Sequence, residues 1–213
     1  MVIQESSMAR CGECELDLGS GSCAQCSAAA AAALKAASGP LMTAEQAPYV
    51  EMETSIGTIV FELYWQYAPL ACQNFASLAA RGYYQGIKFH RVVPGFMIQG
   101  GDPTGTGKGG QSIYGKHFKD EFHPALGHRG AGVVSMANTG VDANSSQFFI
   151  SLAPLPWVDG GHTIFARIAR GIMVVKKMGQ VVTDDDDNPK CDLLILNAVP
   201  LAHLPPRQLK TGS

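Results

Sequence analysis

The chain has 213 residues, a formal net charge of −2 at pH 7, 46% hydrophobic residues and 16% charged residues. This composition predicts a packed core, and the lack of a long basic run argues against direct nucleic-acid binding through charge. No apolar run approaches about 20 residues, so we expect no transmembrane helix and no membrane partner. The first residues also lack the charged start and apolar core of a secretory signal.

The first 47 residues differ in composition from those that follow. An alanine run, Ala28–Ala33, has high helix propensity but no apolar stripe along which a helix could dock. We therefore predict a low-complexity arm over residues 1–47. A folded domain at residues 48–202 and a short tail at residues 203–213 complete the predicted organisation.

The arm contains two Cys-x-x-Cys pairs, formed by Cys11, Cys14, Cys23 and Cys26. Paired thiolates at this spacing bind zinc, although the spacer between the pairs is short. A zinc knuckle, a pair of redox-active thiols and no specific role all stay open as interpretations. Without a secretory signal, such pairs favour a reducing compartment, so we expect a cytoplasmic or nuclear protein.

The folded domain begins with two strand patterns, Val50–Thr54 and Thr58–Tyr64. Apolar residues alternate along the second, which predicts that one face of this strand is buried. A helix is predicted from Pro69, since proline suits the first helical turn, and Gly82 is suited to cap its C-terminus.

Two short strands are predicted next, Phe89–Val93 and Phe96–Gly101, joined by the turn dipeptide Pro94-Gly95. In the second strand, alternation places Phe96 on the same face as Ile98, and that face is apolar enough to enter a core.

The opposite face of this strand pair mixes polar and apolar side chains. It carries Met97 and Gln99, with Arg91 contributed by the neighbouring strand. An arginine beside apolar residues is costly inside a core. This face is therefore predicted to be a functional site.

A glycine-rich loop, Gly101–Gly115, follows and formally matches the GxGxxG pattern. No helix begins directly after it, so we do not interpret it as a nucleotide-binding loop. Many short strands with two helices favour an antiparallel barrel. The remaining predicted strands and the second helix are Gly132–Ala137, Gln147–Ser151, Thr163–Ile168, Leu193–Val199 and the helix Ile172–Met178.

Other polar clusters receive simpler interpretations. The acidic run Asp184–Asp187 predicts a solvated turn, because the glycine and the spaced ligands of a calcium loop are absent. Three histidines, His117, His123 and His128, follow no common metal spacing. Ser135 does not lie in a nucleophile elbow, and no serine–histidine–acid order is defensible. We expect neither a cofactor nor a metal in the folded domain.

Three longer motifs carry a family resemblance. Residues 89–102, FHRVVPGFMIQGGD, resemble the central motif of the cyclophilins. Residues 135–138 with 144–150, SMAN and NSSQFFI, and residues 157–165, WVDGGHTIF, resemble the second and third motifs of that family. The resemblance covers about Val50 to Leu201. It implies a mainly β fold, a closed eight-stranded antiparallel barrel capped by two helices.

The resemblance also implies an activity, peptidyl-prolyl cis–trans isomerisation, with proline-containing peptides and proteins as substrates. Arg91 matches the catalytic arginine of the family, and Gln99 matches the glutamine that orients it. Trp157 matches the tryptophan associated with cyclosporin binding. The proline pocket is matched by Phe96, Met97, Phe149, His162 and Val158, the last at a position usually occupied by leucine. The groove for the peptide backbone is matched by Ala137, Asn138 and Gln147.

Two hypotheses for the biological role follow. The first is an active monomeric isomerase that assists folding or conformational switching. The alternative is a module that binds proline-containing segments within a larger assembly, with incidental turnover. Val181–Leu201 and the compact length resemble the small nuclear, splicing-associated cyclophilins, which fits the alternative.

Overall fold

The computed structural model describes residues 46–205. These residues form eight strands, two α-helices and one short 3-10 helix. In chain order the elements are β1 (Tyr49–Thr54), β2 (Gly57–Leu63), α1 (Pro69–Ala80), β3 (Arg91–Val93), β4 (Met97–Gly100), β5 (Val133–Met136), β6 (Phe148–Ser151), the 3-10 helix (Pro156–Val158), β7 (Ile164–Arg170), α2 (Ile172–Met178) and β8 (Ile195–Leu201).

Every predicted strand and both predicted helices are present, with ends that differ from the predicted ones by at most two residues. The second helix has the predicted bounds, Ile172–Met178. After α1, Arg81 is the cap residue and Gly82 follows it with φ of 69°. Glycine accepts this left-handed backbone without the clash that a Cβ would cause, which explains why the helix ends there.

The strands form one antiparallel sheet in the order β3-β4-β6-β5-β7-β2-β1-β8. The mainly β antiparallel architecture with two helices is therefore confirmed. The strand ladder stays open between its edges β3 and β8, so the predicted closed barrel is not confirmed. An isolated bridge from Lys88 to Leu194 joins the segments that precede these edge strands.

The main core lies on one side of this curved sheet and is rich in aromatic rings. Phe75 of α1 is fully buried, and its ring centroid lies 5.1 Å from that of Phe61 in β2 and 5.3 Å from that of Phe148 in β6. Phe165 of β7 lies 5.1 Å away. One helix residue thus contacts three strands, which holds the sheet curved around α1. The outer face of the sheet is not part of this core.

Some predictions concern residues outside the described range. These are the four cysteines of the arm and nearly all of the arm and the tail. The division of the chain at residues 47 and 202 stays a prediction. Within residues 46–205, no helix is long and apolar enough to cross a membrane.

Candidate active site

A second apolar cluster lies on the outer face of the sheet, apart from the main core. Its buried members are Met97 in β4, Phe149 in β6 and Leu155 beside the 3-10 helix. Because side chains alternate along a strand, the neighbours of these residues, Ile98 and Ile150, point the other way into the main core. The same short strands therefore supply both a core face and a site face.

A cavity of about 180 Å³ opens over this cluster. Its floor is apolar, whereas Arg91, Gln99 and Asn138 add polar groups to its lining. It is lined by Arg91, Phe96, Met97, Gln99, Ala137, Asn138, Phe149, Val158 and His162. The structure thus brings together all of the site residues predicted from the sequence except Gln147 and Trp157, which flank the cavity.

Phe96 is the residue for which strand alternation and the family resemblance disagreed. In the structure β4 begins only at Met97, and the Phe96 N–H donates to the carbonyl oxygen of Val93 at 3.0 Å in the turn. Gly95 in that turn has φ of 72°. Alternation does not apply to a turn residue, so the placement of Phe96 beside Ile98 was wrong. Its ring instead stacks on Trp157 at a centroid distance of 6.1 Å, at the cavity.

Arg91 lies opposite Gln99 in the β3–β4 ladder, so both side chains emerge on the site face. Among the described residues no hydrogen bond joins Arg91 to Gln99. Gln99 Nε2 donates to Gln147 Oε1 at 2.9 Å, which engages its amide elsewhere. Arg91 donates through Nε and Nη2 to Asp187 Oδ2 at 3.2 and 3.0 Å. The orienting role of Gln99 stays a prediction, and Asp187 is a neighbour that sequence reasoning missed.

Asp187 was missed because it belongs to an acidic run that predicts nothing more than a solvated turn. Sequence gives no sign that one of four adjacent aspartates would reach a strand 96 residues away. The available signal was weak: Asn188-Pro189 after the run favours a turn that holds the acid in one place.

His162 forms one wall of the cavity as a neutral ring. Its Nδ1 lies 3.1 Å from the carbonyl oxygen of Met136, and a carbonyl only accepts, so Nδ1 carries the proton. Burial lowers the pKa of His162 below its ordinary value, and the hydrogen bond to Met136 opposes this less strongly. The ring meets Phe149 edge-on at 5.2 Å. His162 therefore offers shape and an apolar edge near neutral pH rather than a charge.

Behind the cavity, His128 supports Phe149. The two rings are nearly parallel, 12° apart, with centroids 5.7 Å from each other. His128 Nδ1 lies 2.6 Å from Asp159 Oδ1, and its Nε2 lies 2.7 Å from Ser135 Oγ. This looks like a nucleophilic triad, but Ser135 is fully buried, so its hydroxyl cannot reach a substrate. The network fixes the floor of the pocket.

A neighbouring groove extends the cavity along Asn138 and Gln147. The groove and the cavity share Gln99, Ala137 and Asn138. Gln147 Nε2 donates to the carbonyl oxygens of Gly107 and Gly109 at 3.0 and 2.8 Å, which ties the glycine-rich loop to the groove. Within residues 46–205 the Asn138 backbone makes no hydrogen bond, so it is free to pair with an extended peptide.

Comparison with known proteins agrees with this geometry. The family model described as "Cyclophilin type peptidyl-prolyl cis-trans isomerase/CLD" matches residues 49–199. The chain belongs to the cyclophilin family. This cyclophilin is 59% identical over 155 residues to "Peptidyl-prolyl cis-trans isomerase-like 1" of Mus musculus. The aligned region covers 73% of this chain and 93% of the mouse protein. It is 59% identical over 152 residues to a peptidyl-prolyl cis-trans isomerase of Schizosaccharomyces pombe, covering 71% and 98% of the two chains.

Solved structures also resemble this cyclophilin. A cyclophilin-type isomerase of Cryptosporidium parvum superposes with a TM-score of 0.72 and 40% identity, covering 75% of this chain and 99% of the other. A second crystal structure of that protein, in the presence of the dipeptide Ala-Pro, gives a TM-score of 0.71 at 39% identity, covering 73% and 99% of the two chains. The cyclophilin domain described here is therefore a peptidyl-prolyl cis–trans isomerase.

Proposed function

We propose that the cavity holds the proline ring of an X-Pro segment while Arg91 stabilises the twisted peptide bond during isomerisation. The observation that carries this proposal is the position of a guanidinium at the rim of an apolar pocket of proline size. An arginine stays charged at any physiological pH and presents several donors in a fixed plane.

The reaction to be accelerated is a rotation, and no bond has to break. Amide resonance sets its barrier at about 18–20 kcal/mol, so uncatalysed X-Pro isomerisation takes tens of seconds or longer. In the twisted state resonance is lost, and the lone pair localises on the prolyl nitrogen. A donor aimed at this nitrogen binds the twisted state better than the planar states, which is the condition for catalysis.

Arg91 cannot supply the whole effect. A hydrogen bond from a charged group contributes about 1.5–3 kcal/mol, whereas turnover near 10³ s⁻¹ requires a barrier of roughly 13 kcal/mol. We assign the remainder to the pocket, where Phe96, Met97 and Phe149 hold the ring while the other side of the bond rotates. The apolar walls also reduce the stabilisation that water gives to the planar amide.

The groove supports the same proposal because it can hold the part of the peptide that does not rotate. Rotation of one end of a peptide bond requires that the other end be held. The unpaired backbone of Asn138 and the side chain of Gln147 lie where an extended chain leaves the proline pocket.

The test is an X-Pro isomerisation assay on the wild type and Arg91→Ala. We expect kcat/KM to fall about 10- to 150-fold, which corresponds to the loss of one charged hydrogen bond. Arg81→Ala is the matched control, because Arg81 is exposed and lies outside the cavity. Full activity in Arg91→Ala would contradict the mechanism and favour the alternative role as a binding module.

We further propose that the protein is a monomer that binds cyclosporin at the same site. Trp157 supports this, since it is 70% exposed beside the cavity and stacks on Phe96. Inhibition of the assay by cyclosporin, weakened in Trp157→Ala, is the expected result. We also propose a cytoplasmic or nuclear location, with which the two free cysteines of the described region, Cys72 and Cys191, agree.

We also infer that the sheet closes into a barrel through its irregular edges. Two hydrogen bonds support this inference. Phe89 N–H donates to the Leu193 carbonyl oxygen at 2.9 Å, and Ile195 N–H donates to the Ile87 carbonyl oxygen at 2.9 Å.

A further inference from the structure

One edge of the Arg91 guanidinium is held by a single carboxylate, that of Asp187. Its Nε and Nη2 both donate to Asp187 Oδ2, at 3.2 and 3.0 Å. These donors account for one edge of the guanidinium, and Nη1 and the second Nη2 hydrogen have no hydrogen-bond partner within residues 46–205. Arg91 also lines the cavity. The free donors are therefore those available to a bound peptide.

The loop around Asp187 is built to keep this carboxylate in place. Asp184 Oδ1 accepts the backbone N–H of Asp186 at 3.0 Å and that of Asn188 at 2.8 Å. Asn188 Nδ2 donates to the same carboxylate, at 3.2 and 3.1 Å from its two oxygens. Asp184 thus closes the turn from inside, which presents Asp187 outward in one orientation.

The turn is also attached directly to the strand that carries Arg91. The backbone N–H of Val92, the next residue in β3, donates to the Asp187 carbonyl oxygen at 2.9 Å. Asp187 itself has φ of 66°, a left-handed conformation that aspartate tolerates better than most residues. Its main chain and its side chain therefore contact adjacent residues of the same strand.

The other members of the acidic run do not share this arrangement. Asp185 and Asp186 are exposed, and their carboxylates accept no hydrogen bond from any described residue. A general effect of negative charge near the site would come from all four aspartates, each according to its distance from the site. The contact geometry distinguishes Asp187 alone.

We propose that Asp187 is a positioning residue for the isomerase reaction, which holds the Arg91 guanidinium by one edge and presents its other edge to the prolyl nitrogen. This rests on the proposed function, in which Arg91 acts on the twisted state. A free arginine loses side-chain entropy when it is fixed in one rotamer. Asp187 fixes the Arg91 side chain before the substrate binds. The hydrogen bond from Arg91 to the twisted state is therefore offset less by the loss of side-chain entropy.

The opposite role would give the opposite result. A carboxylate that withdraws Arg91 from the substrate would act as a brake, and its removal would raise turnover. The geometry points to positioning, because Arg91 contacts Asp187 while it still lines the cavity.

The experiment compares Asp187→Asn with Asp185→Asn in the wild-type background and in Arg91→Ala, with kcat and KM measured on an X-Pro peptide. Asparagine keeps the shape and the left-handed backbone of Asp187 while it removes the charge. We expect Asp187→Asn to lower kcat about threefold to fivefold with little change in KM, the size typical of an exposed ion pair. The same substitution should have no effect in Arg91→Ala, and Asp185→Asn should have none in either background.

Three results would overturn the proposal: unchanged or raised kcat in Asp187→Asn, a change confined to KM, or a loss that persists in Arg91→Ala, which would indicate a merely structural role. The Arg91 Nε–Hε NMR signal gives an independent readout, and it should shift in Asp187→Asn but not in Asp185→Asn. If Arg91→Ala is itself fully active, the proposed function fails instead, so the two failures are distinguishable.

Discussion

Two histidines near the site are buried in ways that disfavour their charged forms. Burial lowers the pKa of His90 and of His162 below the ordinary value of 6.5, and it is the largest cause for each. Nearby Asp102 opposes the shift at His90, and Arg91 adds to it. Both ring nitrogens of His90 lack a hydrogen-bond partner among the described residues, so no hydrogen bond stabilises a charged form of this buried ring.

These lowered pKa values predict a loss of stability in mild acid. The stability that a neutral His90 contributes is complete above pH 6.5 and is lost as the pH falls through its lower pKa in the folded state, because the unfolded chain takes up the proton first. The slope from one histidine cannot exceed about 1.4 kcal/mol per pH unit.

Urea unfolding of the wild type and His90→Gln at pH 7.5 and pH 5 measures this effect. We expect the wild type to lose more stability on acidification than His90→Gln does. His203→Gln serves as the control, since His203 is exposed and should behave like the wild type. Equal losses in all three proteins would show that His90 does not titrate below its ordinary pKa.

At the level of elements, helix α1 has its N-terminal cap supplied from a distant loop. The cap residue, Ala68, has no side-chain acceptor. Glu121 fills this role: its two carboxylate oxygens accept the N–H groups of Leu70 and Ala71 at 3.0 and 2.9 Å. A carboxylate at this end also complements the helix dipole.

Removal of this cap should destabilise the domain without altering the cavity. We expect Glu121→Ala to cost about 1 kcal/mol, the usual effect of losing a helix cap, and to lower Tm by roughly 2–4 °C. Glu53→Ala is the matched control, because Glu53 is exposed on β1 and makes no side-chain hydrogen bond among the described residues. Equal Tm values for the two variants would mean that Glu121 contributes nothing as a cap.

At the level of the whole molecule, the main question is whether the sheet closes. The ladder is open between β3 and β8, but hydrogen bonds of Phe89 and Ile195 join the segment before β3 to the start of β8 and the residues just before it. Closure would leave no long unpaired edge, which is how β-barrels avoid edge-to-edge association.

Amide hydrogen exchange tests closure directly. If the barrel closes, the amides of Phe89 and Ile195 should exchange as slowly as those of the β1–β2 ladder, because all of these amides would exchange only when the whole domain unfolds. Val141 is the reference for free exchange, since it is 88% exposed and its amide has no hydrogen bond among the described residues. Exchange at Phe89 and Ile195 as fast as at Val141 would mean an open sheet.

The family, the elements and most of the pocket were determined by the sequence alone. Alternation along β2 and β4, the helix start at Pro69 and the three motifs are local patterns, and local patterns report which side of an element faces a core. Met97, Phe149 and His162, which come from three separate segments, were predicted as neighbours through the family resemblance, and they are found around one cavity.

The tertiary structure decided the contacts that join distant segments at the rim of the site. It placed Asp187 against Arg91, turned Gln99 toward Gln147 and gave α1 its cap from Glu121. Each of these three contacts depends on where a loop crosses the surface. Several equally polar residues nearby in the sequence could have made the same contact. Burial constrains an apolar side chain to one face, whereas a polar side chain at a surface finds its partner only when the whole chain has folded.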